Sequence, residues 1–337
     1  MKKSYNEMLP FIGDANQLIS CEESVLSGGF QEGVKCIHVN NGGNISATIL
    51  PGRSMDIYQV RYKGKNLNYI APSGIIASEY YDAHGFRWLR NFFVGFLTTC
   101  GLQHIGSPAV INGEEVGLHG RISNTPAENV TITRDSVSDV PSLSIEGTMR
   151  EGRIFGENLT LKRKIDFLYE DDAFTITDTI TNHGFGERQY LYSLHLNYGY
   201  PLLDKGAQII MDTEDVEPRE ENAAKYIDSW IEIEEPQYPY PERCYFHNVK
   251  PDNDGISQYT LFNPDINIGV NVQYKHEDFP YFVQWKMLGK GEYVLGLEPL
   301  NTPLDGPKLG EEGCKAPILQ PGASRDYTYS FKFIDKI

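Results

Sequence analysis

The sequence predicts an all-β sandwich of large sheets, because apolar and polar residues alternate in many segments and helical periodicity is nearly absent. The clearest alternation covers residues 326–333 (DYTYSFKF), where four aromatic side chains share one face and polar side chains share the other. Residues 266–274 (INIGVNVQY) and 159–167 (LTLKRKIDF) repeat the pattern, with Arg163 as an exception on an apolar face. Glycine and proline are spread along the chain, as expected for strands joined by turns.

Further segments with strand character, mostly bounded by Gly, Pro, Asn or Asp, complete the predicted sheets: ISATIL (45–50), MDIYQVRY (55–62), NVTITRD (129–135), FTITDTI (174–180), QYLYSLHLNY (189–198), AQIIMD (207–212), QYTLF (258–262), YFVQWKML (281–288) and EYVLGLE (292–298). One short helix is predicted over 223–233. Residues 71–110 are aromatic-rich and irregular, and residues 212–254 are acidic and proline-rich, as in a long excursion with a solvated face. No boundary divides the chain, so we expect a single domain over residues 1–337.

The charge of the chain argues against two classes of partner. Forty-six acidic and thirty basic side chains give a formal charge of −16, which repels nucleic acid and anionic membrane surfaces. No run approaches the ~18 apolar residues of a membrane span, and residues 1–14 lack the apolar segment of an export signal, so we expect a cytoplasmic protein. The five cysteines form no CxxC pair and no even set, which favours free thiols and offers no metal site by spacing.

One loop-like stretch, residues 117–124 (GLHGRISN), places His119 between two glycines. Glycine permits a left-handed backbone and lets a ligand or another segment approach closely. The stretch is therefore a candidate binding loop, although an ordinary turn with a solvated histidine has the same sequence pattern.

Two predicted strands carry residues suited to proton transfer. Strand alternation places His195 on the same face as Ser193 and Asn197, and that face is either exposed or turned into a polar cleft. Near the end of a later strand, Glu298 lies one pleat from Gly296, which leaves space above the sheet. An ordinary exposed glutamate is the alternative interpretation of Glu298.

Several motifs occur in an order that resembles the aldose 1-epimerase family, also called galactose mutarotases: LHG at 118–120, TITNHGFGERQYLYSLHLNYGYP at 179–201, LGLEPLNTP at 295–303 and LQPGASRDYTYSFKF at 319–333. Others are more similar to an uncharacterised branch of that superfamily, classified as a domain of unknown function: LPGRSMDI at 50–57, WLRNFFVGFLTTCGLQHIG at 88–106 and GLHGRISNTPAENV at 117–130.

The resemblance implies a galactose mutarotase-like supersandwich of large, mainly antiparallel sheets, with a sugar groove on one sheet and no cofactor. It also implies that His195 is a general acid toward the ring oxygen, that Glu298 is a base on the anomeric hydroxyl, and that His119 binds sugar hydroxyls. A small carbohydrate is then the expected partner, and a homodimer is left open.

The sequence departs from the family pattern at the expected sugar site. RISNTPAENV follows the HG motif, and HLNYGYPLL surrounds His195, where the family has a glycine-rich continuation and an HxYFNL segment. We find no match for the family's additional sugar-binding aspartate. The candidate substitutes are Arg53, Arg87, His104, Arg121 and Asn197. The arginines would suit an acidic sugar, whereas Arg53 would equally well anchor a turn.

The sequence is compatible with three functions. The leading hypothesis is an enzyme that interconverts the α and β anomers of a free sugar, or of a sugar derivative, by acid–base ring opening. A metal-assisted sugar isomerase or lyase is an alternative, because His104, His119, His195 and Glu298 are ligand types. A carbohydrate-binding protein without catalysis is the other. A glycosidase is disfavoured, since a second carboxylate to pair with Glu298 is not identifiable.

Overall fold

Two large antiparallel sheets dominate the computed structural model, which describes residues 3–135 and 139–337. The described part of the chain holds 25 strands, numbered here in chain order: β1 (Ser20–Val25), β2 (Lys35–Asn40), β3 (Ile45–Leu50), β4 (Asp56–Tyr62), β5 (Lys65–Asn66), β6 (Tyr69–Ile70), β7 (Val94–Gly95), β8 (Leu97–Leu102), β9 (Ala109–Ile111), β10 (Glu114–Val116), β11 (Ala127–Asp135), β12 (Ser142–Gly152), β13 (Asn158–Leu168), β14 (Ala173–Asn182), β15 (Arg188–Gln189), β16 (Leu191–Tyr198), β17 (Gln208–Met211), β18 (Thr213–Pro218), β19 (Arg243–Val249), β20 (Ile256–Asn263), β21 (Ile268–Lys275), β22 (Tyr281–Gly289), β23 (Glu292–Leu300), β24 (Ile318–Leu319) and β25 (Ser324–Ile334).

The larger sheet has 11 strands in the order β1-β2-β3-β4-β8-β16-β23-β22-β19-β18, with β5 paired to β4. The second sheet has eight strands in the order β11-β12-β13-β14-β25-β21-β20-β17. The pairs within both sheets are antiparallel, and three two-stranded pairs, β9 with β10, β15 with β24 and β6 with β7, are attached to them. The predicted all-β class of large antiparallel sheets is confirmed.

The main hydrophobic core joins side chains from both large sheets. Alternation along β25 buries Tyr327, Tyr329, Phe331 and Phe333, as the sequence pattern predicts. Two pairs of tyrosine hydroxyls in this core are hydrogen-bonded to each other, Tyr190 Oη to Tyr327 Oη at 2.6 Å and Tyr198 Oη to Tyr259 Oη at 2.8 Å. Pairing matters because a buried hydroxyl without a partner costs about 1–3 kcal/mol.

Arg163, the exception in the alternation of β13, is fully buried and links the two sheets. Its guanidinium forms a two-point contact with Asp178 of β14, with Nη2 at 2.7 Å from Oδ2 and Nε at 2.9 Å from Oδ1. Nη1 lies 3.1 Å from Asp56 Oδ1 on β4 of the other sheet. Tyr192 of β16 donates its hydroxyl hydrogen to Asp178. The guanidinium therefore contacts one carboxyl group from each sheet, and burial raises the pKa of Asp56 to about 7.

The helices are short. Two α-helices, α1 (Tyr5–Met8) and α2 (Glu221–Ala224), accompany 3₁₀ turns at Leu9–Phe11, Ala15–Gln17, Gly29–Gln31, Ser78–Tyr80, Gly85–Arg90, Ile122–Asn124 and Ile227–Ser229. The predicted helix over 223–233 is wrong, because α2 ends at Ala224 and only a 3₁₀ turn follows. None of the helices in residues 3–135 and 139–337 has the length and apolar character needed to cross a membrane.

Candidate active site

His195 and Glu298 lie on neighbouring central strands of the larger sheet. The antiparallel register that pairs Ser193 with Leu300 and Leu196 with Leu297 sets His195 of β16 opposite Glu298 of β23. The two side chains meet on the outer face of the sheet, with His195 Nε2 at 3.2 Å from Glu298 Oε1. Both are about 5% exposed, so the face predicted to be either solvated or a cleft is a covered cleft.

Gly296 makes room for the Glu298 carboxylate. The two residues share a face of β23, and a Cβ atom built on Gly296 would lie 2.7 Å from Glu298 Oε1 and 3.2 Å from Trp285 Cβ. Any side chain at position 296 therefore displaces the carboxylate, because the neighbouring indole closes the other direction.

We expect Gly296→Ala to keep the fold and to lower any activity that depends on Glu298 by about 10²-fold, the typical effect of a misplacement of about 1 Å. The control is Gly289→Ala on neighbouring β22, where the built Cβ meets nothing closer than 3.3 Å. Thermal unfolding and turnover of both variants check the expectation, and equal turnover in the two would contradict it.

His119 lies in a tightly packed loop against the same pocket. Its own φ is 55°, and Gly120 follows at 73°, where a Cβ would lie 2.9 Å from the carbonyl oxygen of His104. At Gly117 a Cβ would lie 2.3 Å from the Ala83 carbonyl oxygen. Glycine is therefore needed on both sides of His119, because neighbouring backbone atoms leave no room for a Cβ atom at position 117 or 120.

The hydrogen bonding of His119 assigns its tautomer. The backbone N–H of Gly106 donates to Nδ1 at 3.3 Å, so Nδ1 carries a lone pair and the proton of the neutral ring is on Nε2. Burial, assisted by the charges of His195 and His104, lowers the pKa of His119 well below its usual value. A neutral ring with one N–H donor suits an acceptor such as a hydroxyl oxygen.

Aromatic rings wall the pocket, which encloses about 150 Å³. The ring of His195 lies 5.3 Å from Phe92, 5.4 Å from Trp285 and 5.7 Å from His119 between centroids. Trp88 packs 5.0 Å from His119 and donates its indole N–H to Ser123 Oγ at 3.0 Å. At the rim, Phe86 and Leu89 line the pocket and are 60% and 52% exposed.

The same burial shifts both members of the central pair toward their uncharged forms. It raises the pKa of Glu298 to about 8, opposed only by the positive charge of Arg219. It lowers the pKa of His195 to about 4, opposed by the influence of the neighbouring Asn197 side chain. At neutral pH the carboxyl therefore keeps its proton and the imidazole is neutral, which places one transferable proton between two opposed groups.

The structure brings together three of the residues singled out from the sequence, His119, His195 and Glu298, and leaves the other five outside the pocket lining. His104 is buried behind the loop with Nε2 at 2.6 Å from the Ser107 carbonyl oxygen. Asn197 is buried beneath His195.

The three arginines suggested for an acidic sugar, Arg53, Arg87 and Arg121, lie outside the pocket lining. Arg53 is buried and donates to three backbone carbonyls, those of Ser123 at 3.0 Å, Ile76 at 2.7 Å and Asn91 at 2.8 Å. It therefore anchors loops, the alternative noted from the sequence. Arg87 is exposed and pairs with Asp82 at 2.7 Å, and Arg121 is an exposed residue outside the lining.

Two charged residues of the pocket were not predicted. Glu242 lines it and accepts a hydrogen bond from Trp285 Nε1 at 2.9 Å. Arg219 also lines it, with its guanidinium held in two contacts by Asp305 at 2.9 and 3.0 Å. Both lie in the acidic excursion, which was interpreted as a solvated face. The proline-rich sequence beside Glu242 gave no signal that the segment returns to the sheet.

Among the side chains that the structure describes, no group of three or more His, Cys, Asp and Glu residues is arranged to hold a metal ion. The five cysteines are free thiols. What the arrangement offers is a proton donor and a proton acceptor, an N–H donor on His119 and aromatic faces on which a sugar ring can stack.

A family model described as "Domain of unknown function (DUF4432)" matches residues 31–333. No protein with a curated description matches the sequence significantly. Solved structures with the same fold include a Klebsiella pneumoniae protein provisionally described as an aldose 1-epimerase, with 22% identity, TM-score 0.87 and coverage of 94% of this chain and 83% of that one.

Two further structures have the same fold at lower identity. A galactose mutarotase-like protein from Clostridium acetobutylicum has 14% identity and TM-score 0.69, covering 94% of this chain and 99% of that one. A galactose 1-epimerase from Lactobacillus acidophilus has 12% identity and TM-score 0.60, covering 95% and 100%. The predicted galactose mutarotase-like fold and the link to an uncharacterised branch are confirmed.

Proposed function

The chain belongs to the DUF4432 family, and from that premise we propose that it is an aldose 1-epimerase that interconverts the α and β anomers of a free sugar. The observation that carries the proposal is the contact between His195 Nε2 and Glu298 Oε1 at 3.2 Å inside an aromatic pocket. The pair supplies the acid and the base that mutarotation needs, and the fold shared with aldose 1-epimerase-like proteins supports it.

The proposed reaction needs only proton transfer. Glu298, in its carboxylate form, takes the proton from the anomeric hydroxyl, the C1–O1 bond becomes a carbonyl, and the bond from C1 to the ring oxygen breaks. The ring oxygen takes a proton from the His195 imidazolium. Rotation about the C1–C2 bond presents the other carbonyl face, and ring closure returns both protons to the groups that held them before. Each positioned group contributes about 10²–10⁴-fold.

The resting pair reaches this state without gaining or losing a proton. Moving the proton from the Glu298 carboxyl to His195 Nε2 converts a neutral pair into an ion pair with the same total number of protons. A sugar hydroxyl that donates to the carboxylate favours this shift, since hydrogen bonding to the charged form lowers the pKa of a carboxyl group. In this proposal His119 Nε2–H binds a sugar oxygen.

We expect a neutral aldose to be a better substrate than a uronic or sulfonated sugar. Arg53, Arg87 and Arg121 do not line the pocket, and Arg219 is already paired with Asp305. Glu242 in the lining would repel an anionic substituent. Comparison of exchange rates for a hexose and its uronic acid at equal concentration checks this, and a preference for the acid would contradict it.

The pH dependence of kcat/KM should be bell-shaped. Above about pH 8 Glu298 loses its proton while His195 is neutral, so the pair has no acid to deliver; below about pH 4 both groups are protonated and no base remains. The two limbs of the kcat/KM profile give the apparent pKa values of the His195–Glu298 pair in the free enzyme. Rates measured from pH 3.5 to 10, after subtraction of the buffer-catalysed rate, check this. A profile that stays level through pH 8 to 10 would contradict it.

Magnetisation-exchange NMR on a panel of aldoses tests the proposal directly. The expected result is α/β exchange that rises in proportion to protein concentration above the rate in buffer. If no sugar of a broad panel exchanges faster than in buffer, the epimerase proposal fails. Sugar binding without exchange, detected by saturation transfer, would then favour the carbohydrate-binding alternative.

A further inference from the structure

The side chain of Asn197 is held immediately beneath His195, outside the pocket. It is fully buried on β16, and its Nδ2 donates to the carbonyl oxygens of Val94 at 3.1 Å and His195 at 2.9 Å. Exchange of the amide nitrogen and oxygen would bring an oxygen against two carbonyl oxygens, so the orientation of the amide is determined.

The carbonyl that holds Asn197 belongs to a strained segment. Val94 has a φ of 66°, a left-handed conformation that is an outlier for a β-branched residue and costs about 1–3 kcal/mol. Thr98 Oγ1 donates to the same Val94 carbonyl at 2.9 Å. A strained backbone persists only where the surrounding contacts hold it. Here the strained conformation of Val94 places its carbonyl oxygen beside Asn197.

Of the side-chain atoms of Asn197 and His195, Asn197 Oδ1 and His195 Nδ1 are buried and have no hydrogen-bond partner among the described residues. Both belong to one face of β16, two residues apart. The other neighbours of the imidazole are the rings of Phe92, Trp285 and His119 and the carboxyl of Glu298 at Nε2. An unsatisfied buried group costs about 1–3 kcal/mol, so one contact between the two atoms removes two such costs.

We propose that Asn197 is a positioning residue that accepts a hydrogen bond from His195 Nδ1–H and so leaves Nε2 unprotonated and facing Glu298. The influence of Asn197 that raises the pKa of His195 agrees with this contact. Its catalytic meaning rests on the proposed function. The neutral Nδ1–H tautomer is the one whose Nε2 lone pair takes the proton from the Glu298 carboxyl, and the same amide oxygen then stabilises the imidazolium.

The test reads the tautomer in the full-length protein without turnover. Two-bond ¹H–¹⁵N correlation spectra of the histidine rings at pH 6.5, with His195→Asn used for assignment, distinguish protonated from unprotonated ring nitrogens. We expect His195 with Nδ1 protonated and Nε2 unprotonated, and His119 with the opposite pattern. A His195 ring protonated on Nε2 alone overturns the proposal. If His195 is protonated on Nδ1 but the protein does not accelerate anomer exchange, the epimerase proposal fails and the proposed role of Asn197 as a positioning residue stands.

Substitutions at Asn197 and Thr98 distinguish a positioning role of the Asn197 amide from a role in packing alone. Asn197→Leu removes the acceptor at similar volume and is expected to lower kcat by about 10–100-fold, the usual effect of losing an outer hydrogen-bond partner, with KM unchanged because Asn197 does not line the pocket. Thr98→Val, the matched control, removes the other donor to Val94 and should leave the tautomer and kcat unchanged. Equal loss of kcat in both variants assigns the effect to the strained segment and overturns the role of Asn197.

Replacing Asn197 by Asp and by Leu should shift the pKa of His195 in opposite directions. Asn197→Asp keeps an oxygen for Nδ1–H and adds a negative charge, so the imidazole should titrate at higher pH than in the wild type, whereas Asn197→Leu should titrate at lower pH. The charged groups of the pocket around His195 that remain constant in this comparison are Glu298, Arg219, Glu242 and, when protonated, His119. Unchanged titration in both variants would show that no contact exists. If Asn197→Leu does not fold, the wild-type spectrum alone decides.

Discussion

Replacing Glu298 by Gln, or His195 by Asn, is expected to lower catalysed anomer exchange by about 10²–10⁴-fold each, with the fold retained. Glu298→Gln keeps the size of the side chain and His195→Asn keeps a smaller polar one, and both remove the ability to exchange a proton at the position where the two groups meet at 3.2 Å. The double variant should be little worse than either single one, because groups that act as a unit lose their effect together.

Exchange NMR at saturating sugar, with circular dichroism to verify folding, measures this result. Glu187→Gln and His183→Asn are the matched controls, since both side chains are exposed and outside the pocket lining. Loss of exchange in only one of the two active-site variants would limit the mechanism to a single essential group. Full activity in both would remove His195 and Glu298 from the reaction.

Arg163→Met is expected to destabilise the protein by about 3–5 kcal/mol, the largest effect on stability that we predict. The change removes the guanidinium that contacts the carboxyl groups of Asp178 and Asp56, both of which are fully buried between the sheets. The hydrogen bonds that remain, from the Tyr192 hydroxyl to Asp178 and from Thr99 to Asp56, cannot replace the lost charge.

Urea unfolding at pH 7 measures the change, with Arg150→Met as the control. Arg150 pairs with Glu128 at 2.8 Å on the surface, where an ion pair contributes about 0–1 kcal/mol. Similar midpoints for the two variants would show that the buried cluster does not stabilise the fold. Replacement of Arg163, Asp178 and Asp56 together by apolar residues should recover much of the loss, since it leaves no buried charge.

The sequence predicted strands where one face is buried and the other is not. Alternation identified β25 and β14 because their side chains point alternately to the core and to the more exposed face. It missed β8, which lies centrally between β4 and β16, because all six of its residues are buried and Leu97–Leu102 therefore has no solvent-exposed face. Within the irregular stretch 71–110 this cause applies to β8, whereas residues 71–93 form loops and the 3₁₀ turns Ser78–Tyr80 and Gly85–Arg90.

The candidate site was predictable only in part. His195 and Glu298 followed from strand alternation and from the family resemblance, because each is fixed by its place on a central strand. Glu242 and the real position of Arg53 were not predictable, because they depend on which distant segments a loop contacts. A guanidinium that binds three backbone carbonyls has the same sequence signature as one that binds a carboxylate.

The anchoring of loops by Arg53 has a consequence for how a ligand reaches the pocket. One planar group holds the carbonyls of Ile76, Asn91 and Ser123, and so joins the segments that carry Trp88 and Phe92 to the turn after His119. We therefore expect the aromatic wall to exchange its amide hydrogens slowly and to keep its conformation between the free and bound states. Entry and release then need only side-chain rotation at the rim, a motion on the picosecond-to-nanosecond scale.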